Sequence, residues 1–128
     1  MTEPRQLIVV DAANVIGSRA DGWWKDRAGA ARRLLTELTD LITRLPDTTD
    51  ITVVLEGAAK PAADTPTPPR LRVLLAEGSG DDTIVAAVAD ATTYPEITVV
   101  TADRELRTRV TTHGATTVGP SWLRNQLS

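Results

Sequence analysis

Four short runs in this chain are apolar along almost their whole length rather than at every second residue. They are Leu7-Ile8-Val9-Val10, Ile51-Thr52-Val53-Val54-Leu55, residues 71–75 and Ile97-Thr98-Val99-Val100. A strand with one solvated face alternates apolar and polar side chains. A strand that does not alternate is covered on both faces, the condition of a parallel sheet flanked by helices. The stretches between the runs carry the helical period. Residues 28–45 place Leu34, Leu35, Leu38, Leu41, Ile42 and Leu45 three and four apart, giving a helix with one apolar face that Pro46-Asp47 ends. Further helices are predicted over 82–91, over 103–112 with Gly114 as a left-handed cap, and over 121–127, with a fifth short strand at 115–118. Residues 60–69, Lys-Pro-Ala-Ala-Asp-Thr-Pro-Thr-Pro-Pro, read as a mobile surface loop that is neither helix nor central strand. The crossover into 71–75 therefore has no clear helix. This order predicts an α/β fold, a three-layer α/β/α sandwich around a mainly parallel sheet, in a single domain over 1–128.

A length of 128 residues suits one core, and with no Phe and one Tyr that core falls to Val, Leu, Ile and Ala. The absence of cysteine excludes disulfides, thiolate metal sites and cysteine nucleophiles. A single histidine, His113, excludes a mechanism that needs two imidazoles. With 14 Lys and Arg against 17 Asp and Glu the net charge is −3, which excludes a uniformly basic nucleic-acid binder but leaves room for a local basic patch. No apolar run approaches the ~20 residues of a membrane span. Met1-Thr2-Glu3-Pro4-Arg5 lacks the basic start and long apolar stretch of a signal peptide. The expectation is a soluble cytoplasmic protein with no membrane partner.

The acids fall at particular places. Asp11 follows the first strand and Glu56 the second, Asp81 and Asp82 open the helix after the third, and Asp103 opens the helix after the fourth. In a parallel sheet all these positions lie at the carboxyl edge, where open α/β sheets bind ligands. Asn14 lies three residues beyond Asp11. Each Asp taken singly also reads as an ordinary helix cap or a solvated charge. Taken jointly, they would repel one another and take up protons unless a cation stood among them. Mg²⁺ or Mn²⁺, hard ions that prefer oxygen, would relieve that conflict and suit phosphate-ester hydrolysis. The helix starts at 81–82 and 103 would add positive dipole ends near a phosphate.

These residues also carry a family resemblance. Val9-Val10-Asp11-Ala12-Ala13-Asn14-Val15-Ile16-Gly17 resembles the first motif of NYN domains, which belong to the PIN-like ribonuclease superfamily. Gly80-Asp81-Asp82-Thr83-Ile84-Val85 is similar to their central double-Asp motif, and Val99-Val100-Thr101-Ala102-Asp103-Arg104 to their third. His113-Gly114-Ala115 fits the family's close, and the bacterial YacP-like branch is the nearest. The likeness runs from about residue 7 to 124. It implies a PIN-like fold, a divalent metal and RNA hydrolysis. It makes Asp11, Asp81, Asp82 and Asp103 the acidic site and its metal ligands. Asn14 would hold the first loop or meet water in the site, and Thr101 would support the acids. Three departures stand out: Asp-Ala-Ala-Asn replaces the usual Asp-Gly-Tyr-Asn, Gly80 stands where the family has Ala, and Glu56 where YacP-like chains often carry Asp.

Lys25 and Arg27, interleaved with Trp23 and Trp24, and Arg104 beside Asp103 are candidate RNA-binding residues, with a Trp stacking on a base. Arg104 could equally neutralise the acids; Arg107 and Arg109 follow it. Arg32 and Arg33 read as a solvated helix face, Trp122 as a core residue, and His113 as a helix end far from the cleft. A tandem Trp cannot easily bury both rings on the same side, so one exposed ring would be informative. Gly78-x-Gly80 is not a dinucleotide fingerprint, and no phosphate-binding Gly-Lys loop exists. A receiver-like phosphoacceptor domain is discarded, because Lys25 and Lys60 are its only candidate lysines and both are poorly placed. The leading expectation is a divalent-metal ribonuclease. The alternatives are a metal-dependent hydrolase of a nucleotide or small phosphate ester, and a non-catalytic module that binds RNA or a ribosome-associated partner.

Overall fold

The computed structural model describes residues 5–127. The first four residues, on which much of the signal-peptide reading rests, lie outside that range. Five parallel strands form one sheet: β1 (Gln6–Asp11), β2 (Thr49–Leu55), β3 (Leu71–Leu75), β4 (Glu96–Val100) and β5 (Thr116–Val118). Their spatial order is β3-β2-β1-β4-β5. The chain moves outward from β1 to β3, then returns to the other side of β1 for β4. The point at which that direction reverses lies between β1 and β4.

The unbroken apolar runs make sense in this setting, because the two faces of β1 feed two different cores. Ile8 and Val10 pack on one side with Ala30, Leu34, Leu35, Leu38 and Ile42 of α2 (Arg27–Arg44). Leu7 and Val9 pack on the other with Ile84 and Val88 of α3 (Gly80–Asp90) and Leu106 and Val110 of α4 (Arg104–Thr111). A short α1 (Ala12–Gly17) and α5 (Pro120–Leu127) complete the first layer. The architecture is the predicted α/β sandwich, with every strand pair parallel. Gly114 sits at φ +86° just past α4, the left-handed position predicted for it.

Two expectations need correction, and one stretch holds elements that the sequence did not announce. The loop expected at 60–69 is helical over its first half, the end of a 3-10 helix Gly57–Asp64 with Pro61 inside it. Pro61 has no N–H to give, so the helix lacks one ladder bond there, which a short 3-10 piece tolerates. The sequence gives this helix small residues: Ala62 is fully buried in the α2 core, and Arg32 donates to the Pro61 carbonyl and pairs with Asp64 at 3.3 Å. Only the stretch after it is irregular. Trp122 is 36% exposed and belongs to neither core; Leu123 fills that place. Helix α1 and the 3-10 turn Trp23–Lys25 lie in a stretch for which no element was predicted.

Candidate active site

Strand parity decides what Asp11 faces. It is the last residue of β1 and shares a face with Leu7 and Val9, the side covered by α3 and α4. Glu56 continues β2 in phase with Val54 on that same side. Helix α3 brings Asp81 to this edge, and α4 is capped there by Asp103. Four acids from four elements thus lie along the carboxyl ends of the central strands, beside the point where strand order reverses.

Asp11 is the buried member, 5% exposed. One oxygen accepts from the Asn14 backbone N–H at 3.3 Å, which caps α1. The other accepts from the Thr101 hydroxyl at 2.9 Å, and that hydroxyl accepts in turn from the Asp103 N–H at 3.2 Å. The Asn14 side-chain oxygen accepts from the Ala102 N–H at 3.0 Å. Asn14 and Thr101 therefore tie the end of β1 to the β4–α4 loop. No cation pairs with Asp11 among the described residues. Burial pushes its carboxyl above the ordinary value of 3.8; the bonds from Thr101 and Asn14 pull the other way, and the negative charges of Asp81 and Glu56 add to the rise. Asp81 is also pushed up, first by burial, then by Asp103 and Glu56, with Arg109 opposing.

Glu56 does a second thing. Its Oε2 accepts the Gly80 N–H at 2.6 Å, fixing the start of α3 to the end of β2. Asp103 caps α4 by accepting from the Leu106 N–H at 3.0 Å. Asp82 is turned away: it is exposed and pairs with Arg109 at 2.9 Å. The sequence groups Arg109 with Arg104 and Arg107, and offers Arg104 either as a phosphate contact or as a counter-charge to the acids. It is Arg109 that lowers the carboxyl of Asp81, while Arg107 donates to the Thr101 carbonyl at 2.9 Å. The spacing of Asp82 and Arg109, on different helices, held no signal for that pairing.

Among the described residues no group of three or more acid or histidine side chains is placed so that it could hold a metal ion. The chemistry of the donors fits one nevertheless. They are all oxygen, they raise one another's proton affinity, and the buried one has no positive partner. A buried carboxylate without a counter-charge is costly, and a hard divalent cation removes that cost.

The candidate nucleic-acid residues lie on both sides of this edge. Trp24 is 57% exposed and meets Trp23 edge to face, with ring centroids 6.0 Å apart. The Arg27 guanidinium lies 5.5 Å over the Trp23 ring. The charged groups of Lys25 and Arg104 are exposed and have no partner among the described residues. Arg32 and Arg33 are exposed, as expected, and His113 is exposed beyond α4. A cavity of about 660 Å³ lies elsewhere, lined by Asp50, Arg72 and Tyr94 among others; none of the edge acids is in its wall.

No protein-family model and no curated protein matches the chain. Solved structures do. Rae1 (YacP) from Bacillus subtilis superposes with a TM-score of 0.75 at 18% identity, over 94% of this chain and 72% of that one. A point mutant of the same protein gives 0.69 at 16% identity over 94% and 73%. A mutant of the T5 5′-exonuclease gives 0.54 at 14% identity, over 90% of this chain and 50% of the other. At such identities the likeness is one of fold. The chain shares the fold of Rae1 (YacP) and of the T5 5′-exonuclease.

Proposed function

We propose that this protein is a divalent-metal-dependent ribonuclease that hydrolyses phosphodiester bonds at the carboxyl edge of its sheet. One observation carries the reading: Asp11 is buried without a cation, facing Asp81 and Glu56, beside the point where strand order reverses. That the same fold is found in an exonuclease supports it. Asp11, Asp81 and Asp103 would hold Mg²⁺ or Mn²⁺, with Glu56 close by. When bound, the ion supplies an activated water and neutralises charge on the phosphate.

The rest falls to the chain's own groups. Thr101 and Asn14 fix the Asp11 carboxylate, so the buried acid cannot swing away from the edge. Arg109 holds Asp82 and tempers the charge on Asp81, which makes Asp82 a supporting residue in this reading rather than a ligand. Lys25, Arg27 and Arg104 stand exposed on either side of the acids, where they would meet the phosphates of a passing strand. The edge is open and flanked by cations, which favours a polymer over a small phosphate ester. The test is cleavage of RNA with Mn²⁺ by wild type, Asp11→Asn and Asp103→Asn. Both variants should lose activity by about 10²-fold or more, as expected when a group that stabilises transition-state charge is removed. Equal activity in all three would reject the assignment.

A further inference from the structure

Next to the acids, on the α2 side of the sheet edge, lies a second feature. It is a pocket of about 350 Å³ between α1, the Trp23 turn, α2 and the 3-10 helix that follows β2. Its walls are Ala13 and Ile16, the Trp23 ring, Arg27 and Ala59, and Glu56 stands at its boundary with the acid cluster. Ala13 is two residues past Asp11, so the pocket and the buried carboxylate are built on the same short stretch of chain.

The lining is informative. It is mainly apolar, it contains one aromatic ring with a guanidinium over it, and its acid-side wall carries a carboxylate. Two glycines form part of its rim. Gly57 adopts φ +56°, which a side chain would oppose, and a Cβ at Gly57 or Gly78 would meet nothing within 4 Å, so the rim is open on that side. Lys25 and Trp24, in the same turn as Trp23, are both exposed, the lysine without a partner among the described residues.

We propose that this pocket receives one unpaired base of the nucleic-acid strand whose phosphate lies at Asp11. The proposal rests on the ribonuclease reading above and deepens it: the substrate is single-stranded at the point of cleavage. A flat, apolar-faced group suits the Trp23–Arg27 wall, and every base offers such a face. The anionic backbone attached to it suits Arg27 in the pocket wall and Lys25 two residues before it, in a chain whose net charge is −3. A base held in a duplex is stacked between its neighbours and cannot enter a side pocket without being extruded.

The experiment separates binding from cleavage. With EDTA present, a labelled short oligoribonucleotide is titrated with the protein, as a single strand and as a duplex, and anisotropy is read. The single strand should bind at least about tenfold more tightly, the scale of one stacked base. Ala58→Phe, placed at an exposed position in the lining, fills the pocket without entering the core and should weaken single-strand binding by a similar factor. Trp23→Leu keeps an apolar side chain against the core and should do the same. Lys25→Ala should weaken strand and duplex alike and reduce the salt dependence of both. Equal binding of strand and duplex, or unaltered binding by Ala58→Phe, overturns the proposal even if RNA is cleaved with Mn²⁺. Selective strand binding without cleavage in any divalent metal would sink the ribonuclease reading and leave the pocket standing.

Discussion

Glu56 and Gly80 are fitted to each other. The Gly80 N–H reaches Glu56 Oε2 at 2.6 Å, and a Cβ built at position 80 would lie 3.2 Å from that same oxygen. The two departures from the family pattern noted in the sequence, a Glu where Asp is frequent and a Gly where Ala is, are thus one arrangement: the longer acid uses the room the glycine leaves. Alanine is ordinarily better than glycine in a helix by roughly 0.5–1 kcal/mol. Gly80→Ala alone should nevertheless lose stability in urea unfolding, and combined with Glu56→Asp it should gain. The cycle should give a coupling of about 1 kcal/mol, and additive effects would show the two residues to be independent. Asp11 gives a second residue-scale test. Burial raises its carboxyl in the folded protein, so the native state holds that proton more tightly than the unfolded chain. Its contribution to stability is therefore lost as pH rises from 3.8 through the raised value. The melting temperature of Asp11→Asn minus that of wild type should climb across that window in metal-free buffer. A flat difference would mean the carboxylate is not strained by burial.

Elements were legible in proportion to the strength of their period. Strands buried on both faces and the leucine face of α2 could be read directly, because burial leaves no choice of residue there. Helix α1 could not, because six residues are too few for a period, and its start is marked only by the Asp11-to-Asn14 cap. The 3-10 helix after β2 was hidden by Pro61, although the alanines around it were the signal. Arg70 was not singled out at all. It donates to the carbonyls of Ile42, Pro46 and Thr49 at 2.8–2.9 Å, closing the end of α2 onto the start of β2. An isolated arginine beside a proline run carries no sign of such a role. Arg70→Ala leaves these carbonyls without their donor and should cost about 1–3 kcal/mol in urea unfolding. A change within 0.5 kcal/mol would mean water replaces the guanidinium fully.

At the scale of the molecule, the sequence could place the acids at one edge but not decide which would face one another. That depends on the order β3-β2-β1-β4-β5, which puts β1 between β2 and β4. Asp11 thereby gains Glu56 on one side and Thr101 on the other, while Asp82, one residue from Asp81, is rotated out to Arg109. The side chains leave the edge rich in negative charge, and among the described residues no three of them are yet placed to hold an ion. The account therefore turns on whether a divalent ion settles there. Anomalous diffraction from crystals soaked in Mn²⁺ tests this most directly. The account predicts a peak bonded by Asp11 and Asp81, absent from crystals of Asp11→Asn. No peak at the sheet edge, or the same peak in both proteins, would contradict it.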